Sequence, residues 1–137
     1  MEATGETNLF ELIKTMKPVL NPGDYVFCTL PEGSAKLDSI GRSETICEFK
    51  EKEGTTLVIE RSIADGKGVA YEYVAAWITL EVHSSLEAVG LTAAFGKALT
   101  EANISANVIA GYYHDHIFVA KKDAGKAISV LTEMSDD

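Results

Sequence analysis

The 137-residue sequence has no apolar run approaching the roughly 20 residues needed to span a bilayer, and its N-terminus, Met1 to Asn8, lacks the basic-then-apolar order of an export signal. It also lacks positive charge. Lys and Arg number 12 against 21 Asp and Glu, a formal net charge of −9, so the chain offers no cationic face to release counterions from nucleic-acid phosphates or to approach an acidic leaflet. The expectation is a cytosolic protein that binds neither nucleic acid nor membrane. Cysteine is scarce too. Cys28 and Cys47 sit in apolar, strand-like surroundings, with no CxxC and no nearby His to complete a zinc site, and read as reduced packing residues.

What is abundant is apolar residues, 46% of the chain, enough for a sizeable core in one domain or two small modules. Leu9, Phe10, Leu12, Ile13 and Met16 recur at helical spacing over Asn8 to Lys17, with Thr7 or Asn8 as cap and Pro18 as stop. Asn21, Pro22, Gly23 and Asp24 spell a turn before a first strand, Tyr25 to Leu30. Pro31 to Thr45 is polar and aperiodic and reads as a long loop. Strands at Ile46 to Lys50 and Thr55 to Glu60 follow, joined by a hairpin turn, and Ile63 to Gly68 leaves room for one helical turn at most.

The longest strand signal is Val74 to His83, with Ala76, Ile78, Leu80 and Val82 on one face and Trp77, Thr79, Glu81 and His83 on the other. From Ser84 the period becomes helical through Leu91, Phe95, Leu99 and Ala102, and Ser84 with Glu87 forms a capping-box pattern. Asn103 ends that helix. Ser105 to Tyr113 and His116 to Ala120 read as a hairpin turning at His114 and Asp115, and a final helix starts at Asp123. The C-terminal half is therefore β-α-β-β-α. Tyr25 to Gly68 repeats that order with its first helix missing and its second shrunken, which suggests a degenerate internal duplication.

These residues carry a family resemblance. The stretch Gly90-Leu-Thr-Ala-Ala-Phe-Gly-Lys-Ala-Leu-Thr-Glu-Ala-Asn-Ile104, the strand Ser105 to Ile109 and the helix Asp123 to Leu131 resemble the ACT domain, the amino-acid-binding module of aspartokinases and other metabolic enzymes. More narrowly, Tyr25 to Leu30, Glu53 to Val58, Trp77 to Ala94 and Ala110 to Val119 resemble small free-standing bacterial ACT-domain proteins. The resemblance implies an α/β (α+β) sandwich of tandem ferredoxin-like ACT modules, antiparallel sheets with helices on one face, the first module degenerate. The boundaries expected are 1–72 for the N-terminal helix plus the degenerate module, and 73–137 for the second. His83 to Gly90 replaces the Asp-Arg-Pro-Gly type of loop common in the family, and Ser105 stands where many amino-acid-binding members carry Asn.

The turn from His83 to Gly90 joins a strand to a helix, where free N–H groups and the helix dipole favour an α-carboxylate. The competing reading is that Ser84 and Glu87 already satisfy those donors. With the resemblance, the candidate ligand-binding residues are His83, Ser84, Ser85, Leu86, Glu87, Val89 and Gly90, joined by Asn107, Tyr112 and His114. His114, Asp115 and His116, with His83, could be read as metal ligands, but the third and fourth ligands are not evident from spacing, and a polar hairpin closure is the simpler account, so no metal and no cofactor is expected. No GxSxG elbow frames Ser84 or Ser85, so no catalytic residue is assigned. The expected function is a small-molecule, most simply amino-acid, binding regulatory or sensory protein without catalysis, self-associating as a homodimer or higher homo-oligomer. The alternative is a structural or protein-interaction module that pairs through its sheets.

Overall fold

The computed structural model describes residues 8–82 and 89–136. They form two compact units that do not follow the order of the sequence. One combines the residues up to Pro22 with those from Ala76 onward, and the other is Gly23–Ala75. Strand β1, Lys17–Leu30, belongs to both, because Lys17–Pro22 falls in the first and Gly23–Leu30 in the second.

In the first unit, α1 (Leu9–Thr15) starts where the side chain of Asn8 accepts the Glu11 N–H at 3.1 Å, and buries Leu12 against the core. Pro18 does not merely stop this helix. It lies inside β1, whose extended conformation begins at once. Strand β4 (Val74–Glu81) shows the expected alternation, and Ala76, Ile78, Leu80 and Val82 are all buried. Helix α4 (Leu91–Glu101) places Leu91, Phe95 and Leu99 in the same core, and α5 (Ala124–Asp136) adds Ala127 and Leu131. Between them β5 (Ala106–Ala110) and β6 (Asp115–Ala120) pair antiparallel, from Ala106 opposite Val119 to Ala110 opposite Asp115. The strand order in this unit is β1-β4-β6-β5. The helix start expected at Ser84, with its Ser84–Glu87 pattern, lies outside the described residues; α4 itself opens after Gly90, whose φ is +99°.

In the second unit β1 pairs β3 (Thr55–Glu60) antiparallel, from Tyr25 opposite Glu60 to Leu30 opposite Thr55, and β2 (Thr45–Lys50) lies on the far side of β3, giving the order β2-β3-β1. Val26, Cys28, Leu30, Leu57 and Ile59 form its core with Ala64 and Val69. Three expectations are corrected here. Asn21 to Asp24 is not a turn but part of β1, tied down in the first unit by the Asn21 amide, which donates to the Trp77 carbonyl and to Thr79 Oγ1. Pro31 to Thr45 is not a loop. It holds α2 (Ala35–Ser39), capped by Ser34 accepting the Leu37 N–H, and a 3-10 turn at Arg42–Glu44. Finally, α3 (Arg61–Lys67) makes two turns and closes with the Val69 N–H returning to the Ala64 carbonyl at 2.8 Å.

The first repeat thus has the full β-α-β-β-α order, and its degeneracy takes the form of shortened helices, 5 and 7 residues against 11 and 13. Both repeats present antiparallel strands with helices packed on the buried face, as in the ferredoxin-like ACT fold.

Asn103, after α4, is the one non-glycine residue with positive φ (+62°) among those described, and the Ile104 N–H beyond it returns to the Leu99 carbonyl. Asn tolerates this left-handed position, whereas a β-branched residue does not. We expect Asn103→Val to cost about 1–2 kcal/mol and Asn103→Gly to be near neutral, read as urea midpoints at unchanged slope.

Candidate functional site

The first cluster of candidate residues is the start of α4. Gly90 is the N-cap, with φ +99° and ψ −16°, and no side chain among the described residues caps this end. The first intrahelical bond runs from the Ala94 N–H to the Gly90 carbonyl, so the amides of the first turn point out of the helix. Leu91 turns inward, and Val89 is 84% exposed. A Cβ on Gly90 would lie 3.1 Å from Leu9 Cδ2, so α1 packs close against this cap. His83, Ser84, Ser85, Leu86 and Glu87, the other members of the loop, lie outside the described residues.

The second cluster is the β5–β6 hairpin, whose turn is Gly111 to His114 rather than His114 and Asp115. The Gly111 N–H donates to the His114 carbonyl at 2.9 Å, and a Cβ at Gly111 would sit 2.8 Å from that oxygen and 3.2 Å from His116 Nε2. Only glycine fits there. Tyr112 and Tyr113 are exposed and meet edge to face at 5.1 Å between ring centres. Asn107 spans the hairpin, its amide donating to the Phe118 carbonyl at 3.4 Å. His114 Nδ1 is buried without a hydrogen-bond partner among the described residues.

A third group was not singled out from the sequence. Trp77 Nε1 donates to His116 Nδ1 at 3.1 Å, Thr79 Oγ1 lies 3.1 Å from the same nitrogen, and Asn21 donates to that hydroxyl at 2.9 Å. The indole also stacks on Phe118 at an interplanar angle of 18°. Indole N–H can only donate, so Nδ1 accepts and the ring proton sits on Nε2 of a neutral imidazole. Burial first, and His114 second, hold the His116 pKa below its usual value against the opposing pull of Asp115. Burial likewise raises Asp115, partly offset by the two histidines. The alternation of β4 places Trp77 and Thr79 on one face, but their meeting with His116 depends on strand order, which no local pattern encodes. Among the described residues, no group of three His, Cys, Asp or Glu is arranged to hold a metal.

Two predictions follow from this geometry. A side chain at Gly90 meets both a left-handed backbone and Leu9, so Gly90→Val should lower stability by about 1–3 kcal/mol in urea unfolding. For His116, the unfolded chain takes up its proton near pH 6.5 and the folded protein only at lower pH, so this group withdraws stability as pH falls through that window. Asp115, raised in the fold, acts in the opposite sense at lower pH, where protonation relieves a buried charge. Trp77 is the only tryptophan, so its emission should shift on acidification as the Nδ1 acceptor is lost, and His116→Asn should flatten both the emission and the stability profile below about pH 6.5.

Comparison with known proteins bears on what these elements belong to. No curated protein matches the chain. A protein of unknown function from Vibrio cholerae, described as a possible transport protein, is 49% identical over 94% of this chain and 97% of its own, with a TM-score of 0.82. A protein from Agrobacterium tumefaciens shares the fold at 17% identity, covering 88% of this chain and 89% of its own, with a TM-score of 0.64. The ligand-free regulatory subunit of aspartate kinase from Thermus thermophilus does so at 7% identity, covering 89% and 98%, with a TM-score of 0.62. Two ACT-domain family models match in tandem, over residues 4–76 and 72–133, and the chain belongs to the ACT-domain family.

Proposed function

We propose that this protein is a regulatory binding protein for a small molecule, an amino acid in the first instance, acting through binding rather than catalysis. The observation that carries the reading is the start of α4. An eleven-residue helix opens on Gly90 with no described side-chain cap, leaving first-turn amides and the positive end of the dipole for an α-carboxylate. His83, Ser84, Ser85, Leu86, Glu87 and Val89 would line the approach, with Asn107, Tyr112 and His114 supplied by the hairpin. The tandem ACT matches support a regulatory role, and the Thermus thermophilus relative, itself a regulatory subunit, shares the fold.

In this reading the repeats, 1–72 and 73–137, are the modules whose arrangement a ligand biases, by no more than its difference in affinity for the two states. Self-association as a homodimer would set such modules side by side. The free thiols of Cys28 and Cys47 suit a reducing, cytosolic setting. A protein-interaction module is the second reading, favoured by the exposed aromatic rings of Phe49, Tyr112 and Tyr113.

Thermal-shift titration against the proteinogenic amino acids tests the proposal. A binder present at 100 times its dissociation constant should stabilise the fold by about 2.7 kcal/mol, and its α-carboxamide analogue should give no shift. A panel with no response, or an amide that binds as well as the acid, overturns the carboxylate site, and a flat panel favours the interaction module.

A further inference from the structure

The Gly23–Ala75 unit carries an open cavity of about 510 Å³, lined by Ile40, Arg42, Thr45, Ile46, Cys47 and Glu48. That volume is in the range of small-molecule sites and exceeds what one amino acid fills. Four of the lining residues are consecutive. A regular strand sends alternate side chains to opposite faces, so Thr45 to Glu48 could not all reach one cavity. The bulge in β2 is what allows it. Thr45 opposes Ile59 and Cys47 opposes Val58, which leaves Ile46 as the extra residue, 37% exposed and with no counterpart on β3.

The segment that supplies Ile40 and Arg42 is held in place. The Gly41 N–H donates to Glu44 Oε1 at 2.8 Å, the Thr45 hydroxyl donates to the Gly41 carbonyl at 3.1 Å, and Lys67 of α3 donates to the Ser39 carbonyl at 2.7 Å. Lys67 also pairs Glu44 at 3.7 Å. Glu44 is therefore occupied, and the Arg42 guanidinium two residues before it makes no ion pair or hydrogen bond among the described residues. The Glu48 carboxylate makes none either. A cation and an anion thus line one cavity without meeting each other, and Ile40 and Ile46 supply apolar surface beside them.

We propose that this cavity binds a short apolar peptide with free termini, two or three residues long. Its C-terminal carboxylate pairs with Arg42, its N-terminal ammonium with Glu48, and its side chains lie against Ile40 and Ile46. A guanidinium holds a carboxylate through two parallel N–H donors, and an ammonium has only donors to offer a carboxylate. A ligand of one sign would leave Arg42 or Glu48 unmatched. A bare amino acid matches both but puts its two charges on one carbon and leaves most of the volume empty. The cavity lies in the other unit from the start of α4, so this inference does not depend on the carboxylate site assigned there.

Cys47 makes binding observable. It lines the cavity and is half-buried while Cys28 is buried, so alkylation of the folded protein by iodoacetamide, followed by mass spectrometry, reads Cys47 with Cys28 as internal control. Dileucine or trileucine should slow Cys47 alkylation saturably and so give a Kd. N-acetylation of the peptide should raise that Kd about tenfold in wild type and change nothing further in Glu48→Gln. Amidation of its C-terminus should do the same in wild type and change nothing further in Arg42→Gln. Both substitutions are at exposed positions, and circular dichroism checks that the variants are folded. Alkylation of Cys47 unaffected by either peptide overturns the proposal, as does protection by free leucine equal to that by trileucine. A blocked terminus whose effect adds to that of its assigned variant overturns the pairing of the termini with Arg42 and Glu48.

Discussion

Strand β1 is the constraint on which both units depend. It gives its first six residues to one unit and its remaining eight to the other, a longer division than that of β4, which leaves only Val74 and Ala75 in the second unit. Strand β1 pairs with strands that carry the two cores, β4 in the first and β3 in the second. Within the first unit Asn21 ties β1 to β4 through the Trp77 carbonyl and the Thr79 hydroxyl. That places a hydrogen-bonding side chain at a position whose neighbours, Pro22 and Gly23, would otherwise favour reversal. The polar face of β4 is built outward from the same bonds. Thr79, held by Asn21, shares the imidazole of His116 with Trp77, and the indole then lies flat on Phe118.

Much of the fold was legible in the sequence, and the missing parts have a common cause. Leu91, Phe95 and Leu99, or Ala76, Ile78 and Leu80, recur at a period because they face one continuous core, and those elements read correctly. Helix α2 has no such stripe. Leu37 and Ile40 touch the core, and Ser34, a cap, fixes where it begins, so aperiodic polar sequence still folds as helix. Asn21 to Asp24 reads as a turn by local preference and is extended because strand pairing overrides preference. At Gly90 the helical period of the sequence carried no sign of the left-handed residue that opens α4.

The candidate site was legible to a different degree. The helix-start loop was recognisable as a strand-to-helix junction, and Gly90 proved to be its cap, with α1 packed close by. The hairpin was recognisable as well, though its turn begins at Gly111, three residues before the expected His114, where a side chain would meet the His114 carbonyl. The pairing of Trp77 with His116 was not recognisable. It joins residues 39 apart on strands whose adjacency only the whole topology supplies, and it shows why a histidine met in sequence is ambiguous between ligand, proton carrier and hydrogen-bond acceptor.

The sharing of β1 also orders events during synthesis. Gly23–Ala75 has all three of its strands once β3 has emerged from the ribosome, so its core can assemble early. Helix α1 and the first residues of β1 emerge before that unit, yet their partners, β4, α4 and α5, are made last. The N-terminal segment must therefore wait, with Leu12 and Met16 unburied, while the chain that separates it from its partners is completed. That pairing is non-local in sequence, and such contacts form only after the entropy of closing the intervening chain has been overcome.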